Sequence, residues 1–274
     1  MNGQIDFAIL DSGTGGIPYM IDIKQKRPDC SCVYLGDTAH FPYGQKTHDE
    51  VVENASLAVQ KIISLWNPKC IVVACNTISV TALDELRKNF APLPFIGTVP
   101  AIKLAARITR NKRIGLLATN LTVNHPYTNK LIEDFACDCK VIKLGDPDLV
   151  DFIEHKYFVS DENERFEAIR KDIDFFKSKD VDTIILGCTH FTHIASEFTS
   201  MCGKDIIVID SRDGVSNQAI KVRFEKSQED NKNSPAVLPC EDMSFFVTSL
   251  ETQKNEDEYK SLCSSFNIPW GGKV

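Results

Sequence analysis

The stretch Cys70-Ile-Val-Val-Ala-Cys75-Asn76-Thr77-Ile-Ser79 is a short apolar run that stops at a thiol, an amide and a hydroxyl. Far downstream the pattern returns as Thr183-Ile-Ile-Leu-Gly187-Cys188-Thr189-His190. A short apolar run that ends in small polar groups and leads into a helical pattern reads as a buried parallel strand. In open α/β sheets, ligands bind beyond the carboxyl ends of such strands. The first expectation is therefore two thiols facing one small polar ligand.

Working outward, the strand Ile5-Asp-Phe-Ala-Ile-Leu10 ends at the small-residue loop Asp11-Ser-Gly-Thr-Gly-Gly16. The dinucleotide fingerprint G-x-G-x-x-G is not met there, because Pro18 stands where the third glycine belongs. A strand over 31–35 leads into Gly36-Asp-Thr-Ala-His40-Phe-Pro-Tyr43-Gly44. Thr47 and Glu50 form a capping box for a helix reaching Trp66, which Asn67-Pro68 stops. A helix over 79–89, a strand over 95–97 and a helix over 100–109 follow. A second series then opens, with a strand over 113–118 that ends at Thr119-Asn120-Leu-Thr122. It continues as a helix over 124–135, a strand over 140–144 and helices over 148–154 and 166–178. The strand 183–186, a helix over 194–201 and a strand over 205–209 complete it. The polar stretch 225–238 reads as a loop, 245–249 as a strand, 257–266 as a helix, and the end from Trp270 as a frayed tail. Alternating strands and helices specify an α/β fold. The two series look like copies of one unit.

The composition excludes several function classes. The chain has 274 residues, 43% of them hydrophobic, which gives ample core. No apolar run approaches a membrane span, and Met1-Asn-Gly-Gln-Ile-Asp6 has no signal character, so a cytoplasmic protein is expected. A net charge of −7 argues against a nucleic-acid surface. Ten cysteines in a chain of this kind are expected to be reduced. Cys30-Ser-Cys32 and Cys137-Asp-Cys139 lack the two-residue spacing of a structural zinc site. Inert burial is the default for the cysteines outside the two motifs, Cys70 included.

Both Cys75 and Cys188 precede helical patterns, where a thiolate is stabilised. His190 follows Cys188 by two residues and Asp11 ends a neighbouring strand, so either can move a proton. Ser12, Asn76, Thr77 and Thr189 supply neutral groups for ammonium and carboxylate. Three readings compete. A cysteine-nucleophile enzyme needs one thiol and a histidine. A metal site would draw on Cys188, His190 and His193 at an unusual spacing. Acid–base chemistry on opposite faces of one carbon uses both thiols, and the duplication favours it.

Five motifs in order carry a resemblance: Asp11-Ser-Gly-Thr-Gly-Gly16, Gly36-Asp-Thr-Ala-His-Phe-Pro-Tyr-Gly44, Ala74-Cys-Asn-Thr77, Leu186-Gly-Cys-Thr-His190 and Ile209-Asp-Ser211. The chain resembles the glutamate racemases of the cofactor-independent aspartate/glutamate racemase superfamily, over roughly residues 4–225 and again near the end. The resemblance implies two pseudo-symmetric α/β domains with mainly parallel central sheets and the active site in the cleft between them. Residues 1–97 with 210–274 are expected as the first domain and 98–209 as the second. It implies interconversion of L- and D-glutamate without pyridoxal phosphate or metal, for bacterial peptidoglycan, in a protein that is often a homodimer. Cys75 and Cys188 would be the acid/base thiols, the first acting on the D isomer and the second on the L isomer. Asp11 and His190 would assist them. Asp11, Ser12, Tyr43, Gly44, Asn76, Thr77, Thr189 and His190 would bind substrate, with Thr119 and Thr122 as weaker candidates. Glu154 resembles an acidic residue near the family's second thiol.

The chain departs from the family at His40-Phe41, Ile78-Ser79-Val80, Phe191-Thr-His193 and Arg212. These changes bear on access and packing, since both thiols remain. His193 is expected to be structural. The first strand begins close to Met1, so the N-terminal extension of members activated by a peptidoglycan precursor is not expected. The alternatives are aspartate racemisation, another carbanion reaction of the superfamily, and a non-catalytic amino-acid-binding protein.

Overall fold

The structure is a computed structural model and describes residues 4–225, 240–250 and 252–274. The chain divides into two compact units, Met1–Thr98 with Arg212–Val274, and Val99–Ser211.

In the first unit, β1 (Phe7–Asp11) is followed by α1 (Ile17–Lys26), β2 (Cys32–Gly36), α2 (His48–Trp66), β3 (Cys70–Val73), α3 (Asn76–Asn89) and β4 (Phe95–Gly97). The second unit runs α4 (Ile102–Ile108), β5 (Arg113–Ala118), α5 (Asn120–Asn124), α6 (Pro126–Phe135), β6 (Lys140–Gly145), α7 (Pro147–His155), α8 (Glu162–Ser178), β7 (Thr183–Leu186), α9 (Ala195–Cys202) and β8 (Ile207–Ile209). The chain then returns to the first unit through α10 (Arg212–Glu225), β9 (Ser244–Val247), α11 (Gln253–Phe266) and β10 (Trp270–Lys273).

The α/β class expected from the sequence is the class of the structure. The first sheet has the order β10-β9-β2-β1-β3-β4 and the second β6-β5-β7-β8. The strand pairs are parallel throughout the described residues. Helices cover parallel sheets on both faces, so their strands are apolar without alternation. The strands β1, β2, β3, β7 and β9 are accordingly buried along their whole length. In the second unit, Ile114, Leu116, Ala118 and Ile185 of the sheet pack with Ile102, Ala105, Val123 and Ala136.

The two sheets share one winding. Four consecutive strands of the first, ending at its edge, run β2-β1-β3-β4, and the second repeats this as β6-β5-β7-β8. Strand β5 thus corresponds to β1 and β7 to β3. In this winding the chain changes side between the first and third strands, which makes their carboxyl ends the place for a ligand.

Several boundaries differ from the sequence reading. The helix after Cys75 begins at Asn76, three residues before Ser79, with Cys75 as its cap. The expected helix 124–135 is two, because Pro126 can open a helix but cannot continue α5. The helix expected from residue 166 begins at Glu162, where Asp161 and Glu164 form a capping box. The capping box of Thr47 and Glu50 is present, and α2 ends at Asn67 in the left-handed conformation with φ 45°. The expected frayed tail is the edge strand β10, on β9. The expected loop 225–238 lies outside the described residues, apart from Glu225, the last residue of α10. Among the described residues no helix is long and apolar enough to cross a membrane.

Candidate active site

The first unit gathers its polar groups at the carboxyl ends of β1, β2 and β3. Cys75 leaves β3 through Ala74 and caps α3, with its carbonyl accepting from Ser79 N at 2.9 Å. Its Sγ lies 3.9 Å from Ser12 Oγ, and Ser12 Oγ is 3.5 Å from Asp11 Oδ1. Asp11, Ser12 and Cys75 are all buried, and the Ser12 hydroxyl links the first thiol to a buried carboxyl. Asn76 and Thr77 form the buried first turn of α3. Neither the amide nitrogen nor the carbonyl oxygen of the Asn76 side chain has a hydrogen-bond partner among the described residues. A buried, unsatisfied amide is costly, and its partners must come from water or a ligand. Ser79 is a structural residue: its hydroxyl donates to Val73 O at 3.1 Å and accepts from Thr98 N at 2.9 Å.

The loop after β2 is held by Asp37. Its backbone N–H donates to Asp11 O at 2.8 Å. Its buried carboxylate accepts from Tyr43 OH at 2.5 Å and Thr248 Oγ1 at 2.8 Å, and lies 2.8 Å from His40 Nδ1. Burial, and then the Asp37 charge, push the Tyr43 phenol far above its ordinary value, so it stays protonated. The Tyr43–Gln45 turn, which includes Gly44, packs against α3. Asp37 has a clear role here that the sequence reading did not assign; its signal is an acidic residue directly after a buried apolar strand.

The second unit builds a different set of partners around its thiol. Gly187 lets β7 leave the sheet close to β5: a Cβ there would come within 2.8 Å of Leu116 Cδ1 and 3.1 Å of Leu117 O. Cys188 Sγ then lies 3.9 Å from His190 Nδ1, and His190 Nε2 lies 2.8 Å from Glu154 Oε2 on α7. All three side chains are buried. Burial works against the imidazolium, but Cys188 and Glu154 outweigh it and hold His190 well above the ordinary histidine value. The second thiol therefore faces an imidazole whose protonated form is favoured, in contrast to the hydroxyl and carboxyl that follow from the first. Thr189, between Cys188 and His190 in the sequence, is buried, its carbonyl accepting from Thr192 Oγ1 at 2.7 Å. Thr119 caps α5 through Thr122 N at 3.2 Å and donates to Thr122 Oγ1 at 3.0 Å.

His193 is a packing residue, with Phe158 edge-on against its ring and its carbonyl accepting from Tyr157 OH. Among the described residues no three metal-ligating side chains converge. The structure thus gathers Asp11, Ser12 and Cys75 in one unit, and Cys188 and His190 in the other. The two thiols occupy equivalent places, after β3 and after β7.

This arrangement has known relatives. The family model for Asp/Glu/Hydantoin racemase matches residues 22–217. The chain belongs to the Asp/Glu/Hydantoin racemase family. It is 36% identical to the glutamate racemase of Treponema pallidum (strain Nichols) over 98% of this chain and 96% of that protein. It is 38% identical to the glutamate racemase of Proteus mirabilis (strain HI4320) over 97% and 88%. Among solved structures, Escherichia coli glutamate racemase in complex with L-glutamate and the activator UDP-MurNAc-ala aligns with a TM-score of 0.84 at 30% identity, covering 98% of this chain and 97% of that one. The Francisella tularensis enzyme in complex with D-glutamate shares the fold, with a TM-score of 0.77 at 23% identity. As a member of this family the protein is an isomerase.

Proposed function

We propose that the protein interconverts L- and D-glutamate by proton transfer at Cα between two thiols. One thiolate takes the α-proton, and the other thiol delivers a proton to the opposite face. The electron pair left by the C–H bond at Cα is used to form the new C–H bond, and the two sulfurs exchange protonation states. Because the two transfers are covered by the protein's own thiols, the reaction needs neither pyridoxal phosphate nor a metal. The observation that carries this reading is the equivalence of Cys75 and Cys188 at the third strand of two like-wound sheets. The unsatisfied amide of Asn76 supplies a ready partner for a polar substrate beside the first thiol. Family membership and the named activity of the relatives support glutamate as the substrate.

In the roles proposed, Asp11 serves Cys75, while His190, held by Glu154, serves Cys188. Ser12, Tyr43, Gly44, Asn76, Thr77 and Thr189 bind substrate. Cys75 acts on the D isomer and Cys188 on the L isomer. Residues 1–97 with 210–274 and residues 98–209 serve as the two domains. The protein works in the cytoplasm of a bacterium, as a homodimer, and supplies D-glutamate for peptidoglycan.

The test is exchange in deuterated water. Purified protein with L-glutamate and no added cofactor is expected to place deuterium at Cα and to lose optical rotation. Exchange with aspartate but not glutamate would move the reading to aspartate racemisation, and no exchange with either would remove it. Cys75→Ala and Cys188→Ala are each expected to lower racemisation by about a thousandfold or more, as loss of a positioned acid or base does, with the fold retained by circular dichroism. Full activity in either variant would rule out the two-thiol mechanism.

A further inference from the structure

Tyr34 lies in the middle of β2, where nothing in the sequence marks it as more than core. It pairs in register with Ile9, and Gly36 pairs with Asp11. In a parallel pair, partners share a face, so Tyr34 lies diagonal to Asp11 across a position with no side chain. Its fully buried hydroxyl uses that space. The oxygen accepts from Gly16 N at 2.9 Å, donates to Gly13 O at 2.8 Å and lies 3.3 Å from Asp11 Oδ2. Residues 11, 13 and 16 of the glycine-rich loop thus meet on one phenol oxygen. The glycine at 16 permits this, since a Cβ there would come within 2.9 Å of the Tyr34 hydroxyl.

A phenol oxygen has one proton and two lone pairs. Gly16 N–H takes one lone pair. While Asp11 is a carboxylate, the phenol proton is divided between Gly13 O and Asp11 Oδ2. When Asp11 carries a proton, that proton is donated into the second lone pair, and the phenol proton goes wholly to Gly13 O. The hydroxyl therefore has a hydrogen bond for either protonation state of Asp11, without moving.

Resting on the two-thiol reading, we propose that Tyr34 is a positioning residue that fixes the Asp11 carboxyl beside Cys75 in both of its protonation states. Tyr34 touches no reacting atom and gives up no proton. It acts through the orientation and acidity of Asp11, on the Cys75 half of the reaction.

The experiment compares the full-length protein with Tyr34→Phe. A hydrogen bond to a charged group is worth enough that kcat is expected to fall by about tenfold or more, with KM changing by less than about twofold. The bond to the carboxylate is charge-assisted and stronger than the one to the protonated acid, so its loss raises the Asp11 pKa, and the ascending limb of the kcat/KM pH profile is expected to move up by about half a unit or more. A carboxyl 13C NMR titration of Asp11, assigned with Asp11→Asn, is expected to show the same upward shift. A fall in kcat with both titrations unmoved would reduce Tyr34 to a structural residue and overturn the proposal, as would an unchanged enzyme. The carboxyl titration needs no turnover. If the parent protein exchanges no deuterium into glutamate, the racemase reading falls alone, and the Asp11 shift still decides Tyr34. Should Tyr34→Phe not fold, 3-fluorotyrosine at position 34 keeps the bond with a stronger donor. The Asp11 titration must then move down, and an unmoved value overturns the proposal.

Discussion

At the scale of single residues, the two thiols differ in their neighbours. Cys188 faces an imidazole whose far nitrogen is bound to a buried carboxylate, Glu154. Against burial, Cys188 and that carboxylate together hold His190 well above the ordinary histidine value. The linkage has a definite sign. A histidine whose folded pKa is raised adds stability that is fully present below its unfolded value, near about 6.5, and fades as pH rises through the folded value. Glu154→Gln removes the negative charge but keeps the side-chain shape. The His190 ring, followed by NMR, is expected to titrate at least about one pH unit lower in that variant. Its stability should also lose the decline that the parent shows on the alkaline side. An unmoved His190 would mean that the carboxylate does not set its charge. The Cys75 side has a buried carboxyl instead, and for it Asp37 and Tyr34 organise the loops. Cys75 and Cys188 were legible because each ends an apolar run. Tyr34 and Asp37 were not, because their roles depend on strand register and on Thr248, far away in the sequence.

At the scale of elements, α7 deserves comparison with α8, since α7 carries Glu154. Asp146 caps α7 by accepting from Leu149 N at 3.0 Å and pairs with Lys171 at 2.9 Å. Asp172 of α8 is buried next to it. Burial first, and then the Asp146 charge, push the Asp172 carboxyl well above the usual carboxylate range. The folded chain thus keeps a proton that the unfolded chain has lost, so raising the pH from the ordinary carboxylate range through the Asp172 value favours unfolding. Denaturation midpoints of the parent are expected to fall across that window. Asp172→Asn donates to Asp146 at every pH and should flatten the curve; an equal decline in the variant would assign the slope to other groups. Most elements could be read from apolar runs, capping residues and prolines. The misses have local causes. Cysteine is not a usual cap, so α3 was placed three residues late. Trp270-Gly-Gly-Lys has little strand propensity, and β10 forms because Trp270 packs on Phe245 and stacks with Tyr259 while its backbone pairs with β9. The helix α10 went unassigned because polar residues interrupt its apolar positions, although Arg223 and Phe224 anchor it to Asp6 and Phe7.

At the scale of the whole molecule, the repeated winding is the organising fact. Duplication was readable in the sequence from matched strand ends, but the order β2-β1-β3-β4, repeated as β6-β5-β7-β8, needed the pairing itself. That order sets a gradient of protection. Strands β1 and β3 are interior in the first sheet, and β5 and β7 in the second, while β10, β4, β6 and β8 are edges. Amide exchange is expected to be slowest in peptides covering 71–73 and 184–186, directly before the two thiols, and faster at 140–145 and 270–273. Equal exchange across a sheet would contradict rigid support for the thiols.

The discontinuity of the first unit has a consequence for how the chain is made. Synthesis proceeds toward the carboxyl terminus, so β1 to β4 leave the ribosome long before β9 and β10, which lie beyond the whole second unit. Until β9 arrives, β2 has an open edge, and an unpaired edge is a template for wrong partners. The nascent protein passes through a period in which its second unit is complete and its first is not. Chaperone demand and the damage done by premature termination should both be concentrated in that interval.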